Sequence, residues 1–236
     1  MSATILSELR TALTSLADEQ TRLSGERFFR EPVKLYGIKA STVTETGKSF
    51  LKALKPLPKN EVFALCEALW KSEMMEESFI ACQWAYSRKK QFESADFGVF
   101  EGWVHCYLNN WASCDSLCNH TIGTVVEMYP QFLASLKQWT ACENRWVKRA
   151  AAVTLIVPAR RGLFLPDIFE IATLLLHDRD DMVQKGYGWM LKVASQSHLP
   201  EVFDFVMRNK ATMPRTALRY AIEKMPEEMR KQAMEK

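Results

Sequence analysis

The chain has 236 residues, 47% of them hydrophobic and 25% charged, with six cysteines and a net charge of +3. That is enough apolar material to bury a sizeable core. No run approaches the roughly 20 uninterrupted apolar residues of a membrane span, and the opening "MSATILSELRTALTSLADEQ" carries charges inside any would-be signal segment. These features exclude membrane and secreted classes and predict a cytoplasmic protein, while a pI near 8.5 is compatible with a nucleic-acid partner without requiring one.

Apolar residues recur at three- and four-residue intervals from end to end, and the nine prolines and nine glycines fall mostly between those segments, so the chain reads as helices with no strand. In the N-terminal third, "FFREPVKLYGIKAST" predicts the longest loop, broken at Pro32 and Gly37. The cysteines Cys66, Cys82, Cys106, Cys114, Cys118 and Cys142 lie inside amphipathic patterns, which predicts reduced, mostly buried thiols instead of a disulfide framework.

Next comes "NNWASCDSLCNH", Asn109 to His120. Cys114 and Cys118 share one helical face, but His120 follows too closely and no fourth ligand stands at a zinc-site spacing, so no metal is expected. The same helix places Trp111 and Asp115 one turn apart on one face. Asn109 and Asn110 offer an N-cap, with Asp115 readable either as a first-turn acid near the helix dipole or as a functional carboxylate.

The C-terminal half repeats. "YPQFLASLKQW", "LPDIFEIATLLL" and "LPEVFDFVMRN" each open on a proline, Pro130, Pro166 and Pro200, spaced by 36 and 34 residues. Each is followed by a second helical segment: "ENRWVKRAAAVTL", "DDMVQKGYGWMLK" and "TMPRTALRYAIEK". The same shifts superimpose Arg149, Lys185 and Arg219. A helix-pair period with a basic residue at one register predicts an all-α superhelical stack of antiparallel helix pairs, HEAT-like or ARM-like, as a single domain over 1–236. Three cations in that register are spaced to follow a polyanion, or they are solvated charges that coincide. Gly186 and Gly188 lie in mid-helix beside Trp189, where each costs about 1 kcal/mol relative to alanine; close approach of a neighbouring helix is the commoner reason for such glycines, a ligand the other.

Taken together, "YGIKAST", "NNWASCDSLCNHTIG", "NRWVKRAAAV" and "DDMVQKGYGWMLK" resemble, in order and separation, the motifs of the AlkD-like DNA alkylation repair family of HEAT-like DNA glycosylases. The resemblance implies Asp115 as the catalytic aspartate, Trp111 and Trp189 as the lesion-contacting aromatics, and Arg149 as the arginine beside the site. It implies duplex DNA containing cationic N3- or N7-alkylpurines as the partner and a base left in the stack instead of flipped out; on the residues themselves, with no glycine-rich phosphate loop and no clustered histidines, neither metal nor cofactor is expected. Lys185 and Arg219 continue the basic row. No lysine reads as a Schiff-base nucleophile, so lyase activity is not expected, and an open groove suits a monomer. The chain departs from that family's pattern at Asn110, where a second aromatic is common, and at Asp181 and Met182, where some members carry aromatics. Asp180 and Asp181 would be unfavourable near DNA phosphates. Two other readings stay open on the residues alone: a catalytically silent DNA-binding paralogue, and a helical-repeat scaffold for another protein.

Overall fold

The expected three- and four-residue apolar spacing produces helices throughout. The computed structural model describes residues 2–235, and among these there is no strand, only an isolated parallel bridge between Lys34 and Met74. The helices group into two units, one ending at Leu117 and the other beginning at Cys118.

The first unit contains α1 (Ser2–Ser15), α2 (Glu19–Phe28), α3 (Ala40–Ser49), α4 (Leu51–Leu54), α5 (Lys59–Trp70), α6 (Met75–Ser87), α7 (Asp96–Tyr107) and α8 (Trp111–Ser116). Helix α5 buries Val62, Phe63, Cys66, Leu69 and Trp70, an i, i+1, i+4, i+7, i+8 stripe, against α6. Residues 71–74 turn the chain back between the two, so they form an antiparallel pair. The core is aromatic: Phe63 lies 5.2 Å from Phe100 and 6.0 Å from Trp103 between ring centroids. Trp84 is wholly buried, and its indole N–H donates to the carbonyl of Gly47 at 2.9 Å, so its polar atom is satisfied. The long loop is present over residues 29–39; it starts one residue later than the motif suggested because Phe28 closes the last turn of α2, and it ends where Ala40 opens α3.

A π-helical turn, Leu117–Ile122, follows α8 directly, and the second unit begins within it at Cys118. It continues through α9 (Gly123–Met128), α10 (Leu133–Trp139), α11 (Arg145–Val153), α12 (Ile156–Arg160), α13 (Leu165–Leu174), α14 (Asp181–Ala194), α15 (Leu199–Asn209), α16 (Arg215–Ile222) and α17 (Glu227–Met234). Pro130 begins a 3-10 turn leading into α10, while Pro166 and Pro200 sit in the first turn of α13 and α15, as a residue without an amide donor should. The second helices of the three pairs are α11, α14 and α16, and α14 packs between the other two. The fold class is therefore the all-α stack of helix pairs that the 36- and 34-residue spacing predicts. Boundaries differ by one to three residues: "TMPRTALRYAIEK" is helical only over Arg215–Ile222, and "ENRWVKRAAAVTL" stops being helical at Val153 instead of running to Leu155. Pro158 cannot donate to the carbonyl of Thr154 and its ring crowds that oxygen, so the chain breaks and resumes as α12.

The mid-helix glycines of α14 are explained by packing on both flanks. A Cβ at Gly188 would lie 2.8 Å from the carbonyl oxygen of Ala217 and 2.7 Å from Cβ of Tyr220, both on α16. A Cβ at Gly186 would meet Arg149 Cγ at 3.3 Å, Arg149 Nη1 at 3.5 Å and Val153 Cγ1 at 3.6 Å on α11. Gly188→Ala is therefore expected to destabilise the protein by about 1–2 kcal/mol, because overpacking against backbone outweighs the gain in helix propensity. Gly186→Ala should cost less than Gly188→Ala, because its nearest contact is a side-chain carbon at 3.3 Å that needs to shift by only a few tenths of an ångström, although Arg149 is held by its bond to the Met182 carbonyl. Urea midpoints of the two variants check the contrast, and equal midpoints would remove the packing explanation.

Candidate functional site

The first unit supplies α8 and its surroundings. Asn110 has extended backbone and its side-chain oxygen accepts from the amide of Ser113 at 2.9 Å, so Asn110 caps the helix, while Asn109 accepts from the Asn110 side-chain amide at 2.8 Å. Ser113 in turn shares a buried 2.8 Å hydroxyl contact with Ser78, which fixes α8 against α6. The cap makes Trp111 the first residue of the helix and sets Asp115 one turn later, with both side chains half-buried. The departure at Asn110 thus has a structural role: it starts the helix that carries these two residues.

Trp111 does not stand alone. Phe29 stacks on it with centroids 5.5 Å apart and planes inclined by 24°, and Phe28 meets it edge-on at 6.0 Å. Phe28 is 71% exposed, the most exposed large apolar side chain among the described residues. Sequence reasoning assigned these two phenylalanines to a loop and missed them. The signal was present: two adjacent aromatics close a helix, α2, that is otherwise polar and buries none of its residues.

The loop that follows the phenylalanines is fastened from the first turn of α6. Glu76 is 2% exposed and accepts from the amides of Tyr36, Gly37 and Ile38 at 3.1, 2.9 and 3.2 Å. Gly37 adopts φ +85°, and a Cβ there would lie 2.2 Å from the carbonyl oxygen of Asp18, so only glycine fits the turn. Glu77, also buried, accepts from Arg10 Nη2 at 2.9 Å and from the Tyr36 hydroxyl at 2.8 Å. Burial, followed by the hydrogen bond to Glu77, pushes the Tyr36 phenol well above its ordinary value. Two adjacent carboxylates thus tie down the part of the chain that presents Phe28 and Phe29.

The second unit supplies the remaining predicted residues. Arg149 is only 4% exposed; its Nη1 donates to the carbonyl of Met182 at 2.6 Å, bridging α11 to the first turn of α14. Lys185 and Trp189, one turn apart on α14, are both half-buried, and Lys185 Nζ lies 3.1 Å from Asp181 Oδ2. Arg219 on α16 is exposed. The register found by repeat spacing is real in chain position, but it mixes a buried arginine, a paired lysine and an exposed arginine.

The two aspartates that begin this region are occupied. Asp180 caps α14, accepting from Met182 and Val183 at 2.8 and 3.2 Å, and pairs with Arg145 Nε at 2.9 Å. Asp181 pairs with Lys185 and, at 3.5 Å, with Arg145 Nη2. Their negative charge is offset locally, which removes most of the repulsion that the sequence alone implied. Cys114 and Cys118 are fully buried, and no group of three or more His, Cys, Asp or Glu side chains able to hold a metal ion occurs among the described residues. No described helix is long and apolar enough to cross a membrane.

An all-α stack of helix pairs carrying an aromatic and acidic motif on one helix defines a class. The family described as DNA alkylation repair enzyme matches residues 9–225. The chain belongs to that family. Among solved structures it is similar to a predicted DNA alkylation repair enzyme from Enterococcus faecalis, with a TM-score of 0.78 at 17% identity, covering 89% of this chain and 97% of that one. At that identity the likeness speaks for the fold. No curated protein matches.

Proposed function

We propose that the chain is a monofunctional DNA glycosylase of base excision repair that hydrolyses the N-glycosidic bond of cationic N3- and N7-alkylated purines in duplex DNA. The observation that carries the reading is α8, where a capped first turn sets a half-buried tryptophan and a half-buried aspartate on one face, with two further aromatic rings against the tryptophan. Membership of the DNA alkylation repair enzyme family supports it.

An alkylpurine that already carries a positive charge leaves as a neutral base once the glycosidic electron pair moves to the ring, so no general acid is required. The sugar develops oxocarbenium character, and water adds to C1′ with release of one proton. An ionised Asp115 would stabilise that charge and orient the water. Trp111 and Trp189 would offer π-faces to the cationic nucleotide, each worth roughly 0.5 to 2 kcal/mol, and a neutral base gains less from them. Lys185 and Arg219 would contact the backbone, while Arg149, buried and donating to the carbonyl of Met182, would hold α11 against α14 behind them. The two units would act as one HEAT-like domain, monomeric, without cofactor, cytoplasmic and associated with the nucleoid when bound.

Incubation of the protein with duplex DNA containing a single N7-methylguanine, beside the same duplex with unmodified guanine, tests the proposal. Free base and alkali-labile sites should appear only from the alkylated strand. Binding without release would identify a silent DNA-binding relative, and neither binding nor release would leave a scaffold.

A further inference from the structure

Helix α17 follows α16, and the two line a shallow, open cleft of about 440 Å³. Ile222 and Met234 form the apolar part of this cleft, and Arg219, Glu223, Glu227, Arg230 and Lys231 supply its charges. The two carboxylates are already paired: Lys192 Nζ lies 3.0 Å from Glu223 Oε2, and Lys231 Nζ lies 2.9 Å from Glu227 Oε1. Arg219 and Arg230, from different helices, are left as exposed guanidinium groups with no carboxylate partner among the described residues. Two like charges brought to one cleft repel each other unless an anion joins them, and a guanidinium presents a fork of donors that matches phosphate oxygens.

We propose that this cleft holds a backbone phosphate of duplex DNA, with Arg230 as the second half of a clamp begun by Arg219. The assignment rests on the reading of the chain as a DNA-binding repair protein. Helices α11, α14 and α16 stand side by side, and α17 packs on α16, so the cleft lies at the end of that row. A phosphate held there belongs to the duplex outward of the segment facing α14. The apolar floor of Ile222 and Met234 suits the face of a deoxyribose, and the exposed position of both arginines suits a long polyanion more than a small enclosed one. Helix α17 is thus a DNA-contacting element as well as the cover of the last pair.

The test is equilibrium binding of the full chain to an undamaged duplex across a series of salt concentrations, for the parent, Arg230→Gln and Arg230→Lys. Neutralising one phosphate contributes about 0.9 to the slope of log K against log salt, so Arg230→Gln should flatten the slope by about that amount and weaken binding several-fold. Arg230→Lys should restore the slope while recovering affinity only partly. An unchanged slope and affinity in Arg230→Gln would overturn the clamp, and continued release of N7-methylguanine by the parent would show that the glycosylase reading survives it. A flattened slope from a parent that releases no base would support the clamp and remove the glycosylase reading instead. Saturable binding of inorganic phosphate that is lost in Arg230→Gln, with the DNA slope intact, would assign the cleft to a small free anion and overturn the proposal. Absence of DNA binding by the parent would overturn both.

Discussion

Asp115→Asn is expected to slow single-turnover release of N7-methylguanine by about 10²- to 10³-fold, the size of effect seen when one preorganised electrostatic partner of a transition state is removed. Asparagine keeps the volume and hydrogen-bonding oxygen of aspartate but not its charge. At an effective dielectric constant of about 20, a unit charge about 4 Å from a developing cation is worth about 4 kcal/mol, which corresponds to the upper end of that range. The cap of α8 runs through Asn110 and Ser113, not Asp115, so the helix should form as before. Affinity for the alkylated duplex should be equal or tighter, because a negative charge has been taken from the vicinity of phosphates. A rate loss under about tenfold, with binding intact, would leave Asp115 as a structural acid near a helix start.

The largest stability effect is expected at Glu76. Its carboxylate is the acceptor for three consecutive amides, two of them buried, and Glu76→Ala would strand those donors. Charge-assisted hydrogen bonds of this kind contribute roughly 1.5 to 3 kcal/mol each, and a buried donor left without a partner costs about 1 to 3 kcal/mol, so a total of about 3–5 kcal/mol is expected after partial relaxation. Urea unfolding of Glu76→Ala against the parent measures it, and a loss under about 1 kcal/mol would show that the loop is held by other means. Glu76→Gln, which keeps one acceptor, should fall between. Because the same loop presents Phe29 to Trp111, base release by Glu76→Ala should also fall under conditions where the protein remains folded.

Much of this arrangement was legible in the sequence. Proline positions and the basic register located three helix pairs, since a first-turn proline and a fixed repeat length are local constraints that tertiary packing rarely overrides. The asparagine cap and the one-turn spacing of Trp111 and Asp115 were legible for the same reason. What was not legible depends on contacts between segments far apart in the chain. Nothing near Phe28 announces that its partner lies at position 111, and nothing near Glu76 announces that it binds the amides of residues 36–38. Arg149 looked like one of three equivalent surface cations, yet its guanidinium is buried and donates to a backbone carbonyl on the next helix. The break at Thr154 depends on Pro158, which lies beyond the quoted segment and denies the Thr154 carbonyl its helical donor.

Helix α2 offers a different kind of opportunity. It buries no side chain, and its fixed points are its two ends, Asp18, which caps it by accepting from Thr21, and Phe28, beside Trp111, together with Gly25, where a Cβ would lie 2.6 Å from Leu35 Cδ1. The exposed residues between, Gln20, Leu23, Ser24 and Arg27, are unconstrained by the core, so an engineer could rewrite that surface, or exchange its terminal aromatic for a smaller or hydrogen-bonding side chain, at little expense to folding. A library confined to this one helix would vary what the protein presents next to Trp111 while leaving the rest of the molecule untouched.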